Sequence, residues 1–144
     1  MQDLTDSIFE LIRRTSTDLP QDVEASLRRA AQREIPGSPA ASAFDTILKN
    51  VELSRKNSTP ICQDTGTPIF YVYHPEGWST RKLRAQIEAA VERATGVSYL
   101  RPNSVDALTD RNTGNNLGDQ HFPSVHFEEV EGDTLTVEIG RAHV

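Results

Sequence analysis

Residues 60–66 read Pro-Ile-Cys-Gln-Asp-Thr-Gly and set Cys62, the chain's only cysteine, beside an amide, a carboxylate and a hydroxyl. A thiolate is a soft ligand that suits iron–sulfur clusters, and a carboxylate two positions on can handle protons. One cysteine cannot hold a cluster alone. Either the motif belongs to a larger site, or the thiol packs as a small buried hydrophobe, the commoner fate of a lone cysteine. Zinc is disfavoured because there is no Cys-x-x-Cys pair, and His121 and His126 lie awkwardly on either side of Pro123. Asp64-Thr65-Gly66 has two other readings. It can be a plain tight turn, since Asp and Thr bond nearby backbone and Gly accepts positive φ. It is also the triplet of aspartic proteases, but those are almost wholly β and enter it from an apolar strand, whereas Cys62-Gln63 precedes it here.

The elements that position this motif come first from helical periodicity. Leu4, Ile8, Leu11 and Ile12 predict an amphipathic helix. Asp18-Leu19-Pro20 restarts the chain into a second helix with Val23, Leu27, Ala30 and Ala31 as its stripe, ended by Ile35-Pro36-Gly37. Phe44, Ile47, Leu48 and Val51 mark a third. Thr59-Pro60 forces extended backbone, so Cys62 is expected in a loop or at a strand start. Pro68 to Tyr73 is apolar on both alternating faces, as a buried strand would be. Ser79 is the expected N-cap of a fourth helix with Leu83, Ile87, Ala90, Val91 and Ala94 facing the core, ended by Gly96.

Residues 101–123 hold five Asn or Gln, three Asp and little apolar periodicity, which predicts a long polar loop of the kind that usually carries function. Ser124 to Val130, the turn Glu131-Gly132-Asp133, and Thr134 to Ile139 read as a C-terminal β-hairpin, covered on one side by Val125, Phe127, Leu135 and Val137. The expected class is α+β: N-terminal helices, then a small mixed sheet. Gly140 to Val144 neither completes a sheet nor caps a helix on this reading. Ile139 to Val144 also matches one reading frame of an adapter used in sequencing libraries. The natural gene is therefore expected to continue beyond about Val137, with residues 139–144 non-native and the domain truncated.

The 144 residues allow one domain of ordinary size. With Gly counted and Tyr left out, roughly 40 % are apolar, a thin supply that suggests some buried surface lies elsewhere. No apolar run approaches the ~20 residues of a membrane span. The acidic start, Met1-Gln2-Asp3-Leu4-Thr5-Asp6, lacks a signal-peptide layout, and a lone cysteine suits a reducing compartment, so the cytoplasm is expected. A net charge of −6 and a pI near 5.2, without a basic stripe, argue against a general nucleic-acid binder. An anionic metabolite would have to be held by a few local cations.

The heptapeptide Pro60–Gly66, together with Leu100-Arg101-Pro102-Asn103-Ser104-Val105 and Asn112-Thr113-Gly114-Asn115-Asn116 in that order, resembles the iron–sulfur hydro-lyases of the class I fumarase and L-tartrate dehydratase α-subunit family. The likeness spans most of residues 15–137. It implies a four-iron, four-sulfur (4Fe-4S) cluster held by three cysteines, with one open iron acting as a Lewis acid on a small dicarboxylate. By the same resemblance Cys62 is the first cluster ligand and Gln63, Asp64 and Arg101 bind substrate. Asp64 is also the candidate general base. The resemblance further implies a β-type domain or subunit and a homo- or hetero-oligomer. The other two cluster cysteines have no counterpart in this chain. The alternative is a non-catalytic α+β binding module that kept the fold after losing the cluster.

Overall fold

The computed structural model describes residues 2–62, 66–118 and 122–142. Helices α1 (Thr5–Thr17), α2 (Gln21–Ala31) and α3 (Pro39–Asn57) lead into strand β1 (Thr67–His74) and helix α4 (Thr80–Gly96). Short strands β2 (Val105–Asp106) and β3 (Arg111–Asn112) follow, then β4 (Ser124–Glu129) and β5 (Thr136–Ala142). The class is α+β, as the periodicities predict.

Local chemistry sets the helix ends. Ser38 caps α3, its Oγ accepting the Ala41 N–H at 3.1 Å with Pro39 in the first turn. Ser58, in the left-handed region at φ 51°, stops the same helix. Ser79 caps α4 as expected, accepting the Lys82 N–H at 3.4 Å.

The core gathers on one face of a three-stranded sheet ordered β4-β1-β5. Strand β1 runs parallel to β4 and antiparallel to β5, so Phe70 lies between Val125 and Ile139, and Val72 between Phe127 and Val137. Ile8 and Ile12 of α1 and Leu83, Ile87, Ala90, Val91 and Ala94 of α4 close over Phe70 and Val72. The parallel β1–β4 pair requires a crossover, and α4 with the segment after it supplies one.

Four expectations need correction. Strands β4 and β5 form where predicted, yet β1 lies between them and they do not pair with each other. A turn signal reports local reversal of the chain, whereas strand insertion is decided by long-range burial. Strand β1 is buried through Pro68, Phe70, Val72 and His74, while Tyr71 on the other face is 42 % exposed and stacks on His126 with ring centroids 5.0 Å apart. The strand at the end of the chain continues through Ala142, pairing with Thr67, because ladder bonds are made by backbone and need no particular side chain. The polar stretch 101–123 includes the β2–β3 hairpin.

The stripe of α2 does not reach the core: no residue of that helix is buried, and Val23 is 41 % exposed. Helices α2 and α3 pack on one another, joined by Arg55, which pairs with Asp18 at 2.7 Å and with Glu24. Arg55 and Arg28 hold the Glu24 carboxyl below its usual range.

Candidate active site

Two neighbouring helices set the approach to Cys62. The N–H of Ile61 donates to the carbonyl of Ser16 at the end of α1, at 3.1 Å. From α3, the Nδ2 of Asn50 donates to the carbonyl of Ile61 at 2.8 Å. The residue before Cys62 is thus held through both its backbone groups. Cys62 itself is exposed, so the reading as a buried apolar cysteine fails.

Gln63, Asp64 and Thr65 lie outside the described residues. The chain resumes at Gly66, buried and at φ 63°, a conformation that glycine reaches without strain. Its carbonyl accepts from the Nδ2 of Asn103 at 3.5 Å, which brings the end of the Cys-Gln-Asp-Thr-Gly segment against the loop carrying Arg101. Arg101 is exposed, two residues from that contact.

Residues 112–116 organise the Arg101 loop from below. Asn112 Nδ2 donates to the Pro102 carbonyl at 2.6 Å, and its Oδ1 accepts the Gly114 N–H at 2.7 Å. The Thr113 N–H donates to the Ser104 carbonyl at 2.9 Å. Asn116, only 2 % exposed, accepts from the N–H groups of Asn103 and Ser104 at 2.7 and 3.2 Å through Oδ1. Its Nδ2 donates to the Arg101 carbonyl at 2.7 Å and to Thr95 Oγ1 on α4 at 3.0 Å. The side-chain hydroxyls of Ser104 and Thr113 are buried in the same place and meet no partner among the described residues.

No periodicity or residue pattern gives residues 112–114 individual roles or marks Asn50 and Asn116. Their asparagines read only as loop composition, because a side-chain bond to a distant backbone leaves no periodic signal. The nearby acid Asp106 is structural. It accepts from the Thr109 hydroxyl and N–H and from the Leu108 N–H, which hold its carboxyl below the usual range and close the β2–β3 turn.

Among the described residues no group of three or more His, Cys, Asp or Glu side chains is placed to hold a metal ion. Cys62 offers a single soft donor. That fits one corner of a cluster and not the whole of one.

A family model described as fumarate hydratase (Fumerase) matches residues 5–141. A protein of Geobacillus stearothermophilus named "Putative fumarate hydratase class I" is 42 % identical over 139 residues, 96 % of this chain and 27 % of that protein. A "Putative L(+)-tartrate dehydratase subunit alpha" of Methanocaldococcus jannaschii is 30 % identical over 130 residues, 88 % of this chain and 45 % of its own length. The L(+)-tartrate dehydratase subunit alpha of Escherichia coli K12 is 31 % identical over 141 residues, 94 % of this chain and 45 % of that subunit. The chain therefore spans less than half the length of these relatives. On a match that runs nearly from end to end, the chain belongs to the fumarate hydratase (Fumerase) family.

Proposed function

We propose that this chain is the N-terminal part of the α-type catalytic domain of an iron–sulfur hydro-lyase, adding water to or removing it from a C4 dicarboxylate. The observation that supports this most directly is the hydrogen bond from Asn103 to Gly66, which draws the thiol-bearing segment and the arginine loop together. Among the relatives, one is named for fumarate hydration and the others for tartrate dehydration. Fumarate and malate, or tartrate, are accordingly the substrates we assign.

Cys62 is one of three cysteines that would hold a 4Fe-4S cluster; the cluster, when bound, supplies Lewis acidity toward a substrate hydroxyl and carboxylate. A single thiolate does not retain a cluster alone. The remaining chemistry falls to this chain's own side chains. Arg101 grips a substrate carboxylate through its planar fork, which fixes orientation better than a lysine would. Asp64 takes the proton from the carbon next to that carboxylate, and Gln63 hydrogen-bonds the substrate beside it. Asn112, Thr113 and Gly114 shape the loop beneath Arg101. A β-type domain or subunit supplies further contacts to the dicarboxylate, and the cytoplasm is the compartment assigned.

A second reading, a binding module that has lost the cluster, draws on the single cysteine. The test is anaerobic reconstitution of this chain expressed alone with iron and sulfide. The expected result is no stable visible absorbance and no hydration of fumarate. Cluster absorbance together with fumarate turnover by the chain alone would overturn the assignment of the remaining ligands to a larger protein.

A further inference from the structure

The backbone of the Arg101 loop is bonded almost continuously by the block that follows it. Between Arg101 and Ser104, the Arg101 carbonyl, the Pro102 carbonyl, the Asn103 N–H, the Ser104 N–H and the Ser104 carbonyl all meet groups of residues 112–116. Three of those bonds belong to the one side chain of Asn116. Its fourth, to Thr95 Oγ1, ties the loop to the last turn of α4, where the Thr95 hydroxyl donates onward to the Val91 carbonyl at 2.8 Å. Val91 lies in the core.

An asparagine amide has two acceptor sites and two donor hydrogens, and here all four are used in a buried position. The backbone at Asn116 is left-handed, at φ 59°. Asparagine tolerates that conformation better than most residues with a side chain. Glycine would keep the backbone and lose every bond. Aspartate would keep the acceptor oxygens but turn both donors into acceptors facing a carbonyl and a hydroxyl.

We propose that Asn116 is a positioning residue for the site: its buried amide sets the Arg101–Ser104 loop on α4 and so fixes where that loop stands relative to Gly66. The functional half of this rests on the assignment of Arg101 to a substrate carboxylate. The mechanical half stands on hydrogen bonds alone. Asn103, whose N–H the amide holds, is the residue whose side chain reaches Gly66, so a loosened amide loosens the contact between the two segments.

The test uses the full chain labelled at Cys62 with a nitroxide, which the single cysteine makes specific. Consecutive Cα atoms are 3.8 Å apart, so Cys62 lies within roughly 15 Å of Gly66. The label is expected to broaden the Asn103 and Ser104 amide resonances of the wild-type chain strongly. In Asn116→Gly, that broadening should weaken while Ile87 and Val91 keep their hydrogen-exchange protection. Exchange at Asn103 and Ser104 should accelerate by about tenfold or more. A residue that merely added stability would lower the melting temperature without altering the broadening. Wild-type broadening and protection at Asn103 and Ser104 in a folded Asn116→Gly chain would overturn the proposal.

Should Asn116→Gly fail to fold, Thr95→Val removes only the anchor on α4. It should accelerate the same two amides by about two- to fivefold, and no change there would equally overturn the proposal. Neither readout involves substrate or cluster. A failed hydro-lyase assignment would leave both unmoved, and a failed clamp would leave that assignment standing.

Discussion

Replacing Asn50 by aspartate tests how the approach to Cys62 is held. The Asn50 amide donates to the Ile61 carbonyl at 2.8 Å, and the substitution keeps the side chain's shape while removing the donor. Asn and Asp rank together in helix propensity, so α3 itself should be little affected. Asn50 is exposed and Ile61 half-buried, so water can reach the abandoned carbonyl and the cost stays near that of an ordinary hydrogen bond, about 1 kcal/mol. At RT of about 0.59 kcal/mol that corresponds to about fivefold faster exchange of the Ile61 N–H, which donates to Ser16. For a domain of this size the melting temperature should fall by about 2–5 °C. An ordinary aspartate protonates near pH ~3.9, and the acid form can donate again. The difference from wild type should therefore shrink on acidification through that value. The measurement is amide exchange at Ile61 near neutral pH and again under acid conditions. Unchanged Ile61 protection at neutral pH would refute the claim that α3 holds this segment through Asn50.

Other consequences are as direct. Ser104 Oγ is buried and meets no partner among the described residues, so Ser104→Ala should be neutral or stabilise the chain by up to about 1–2 kcal/mol in urea denaturation. A loss larger than about 1 kcal/mol would mean that the hydroxyl is bonded. Glu10 is held down to about 2 by the guanidinium groups of Arg13 and Arg14. A carboxylate with a depressed pKa stabilises the fold above its unfolded value and loses that contribution as the pH falls. Stability from Glu10 should decline between pH 4.5 and about 2, by no more than about 0.5–1 kcal/mol because the side chain is 41 % exposed. Glu10→Gln should flatten that part of the stability–pH curve; an unchanged slope would count against the Glu10–Arg13–Arg14 cluster as its source.

Legibility in the sequence followed the range of the forces involved. The stripe Leu83, Ile87, Ala90, Val91 and Ala94 was readable because period and cap agree, and all five residues are buried. Val23 and Leu27 obey the same rule, yet α2 contributes nothing to the core. Periodicity identifies an apolar face and is silent about what covers it. The insertion of β1 between β4 and β5 was hidden for a related reason: Glu131-Gly132-Asp133 signals a reversal, and the choice of neighbour is made sixty residues away in the chain, at Phe70 and Val72. At the site, residue type alone exposed Cys62 as a potential ligand, and the resemblance marked Arg101. The asparagines that hold these two segments, Asn50, Asn103 and Asn116, act through side-chain bonds across 11, 37 and up to 21 residues, beyond any local pattern.

Whether Cys62 is an iron ligand is decided by the intact protein. Its complete reading frame should encode at least two further cysteines able to complete the coordination. Reconstituted anaerobically, it should gain iron–sulfur absorbance and hydrate fumarate or dehydrate tartrate, and Cys62→Ser should abolish both while leaving the fold unchanged. An intact protein whose Cys62→Ser variant keeps its absorbance and turnover would contradict the account.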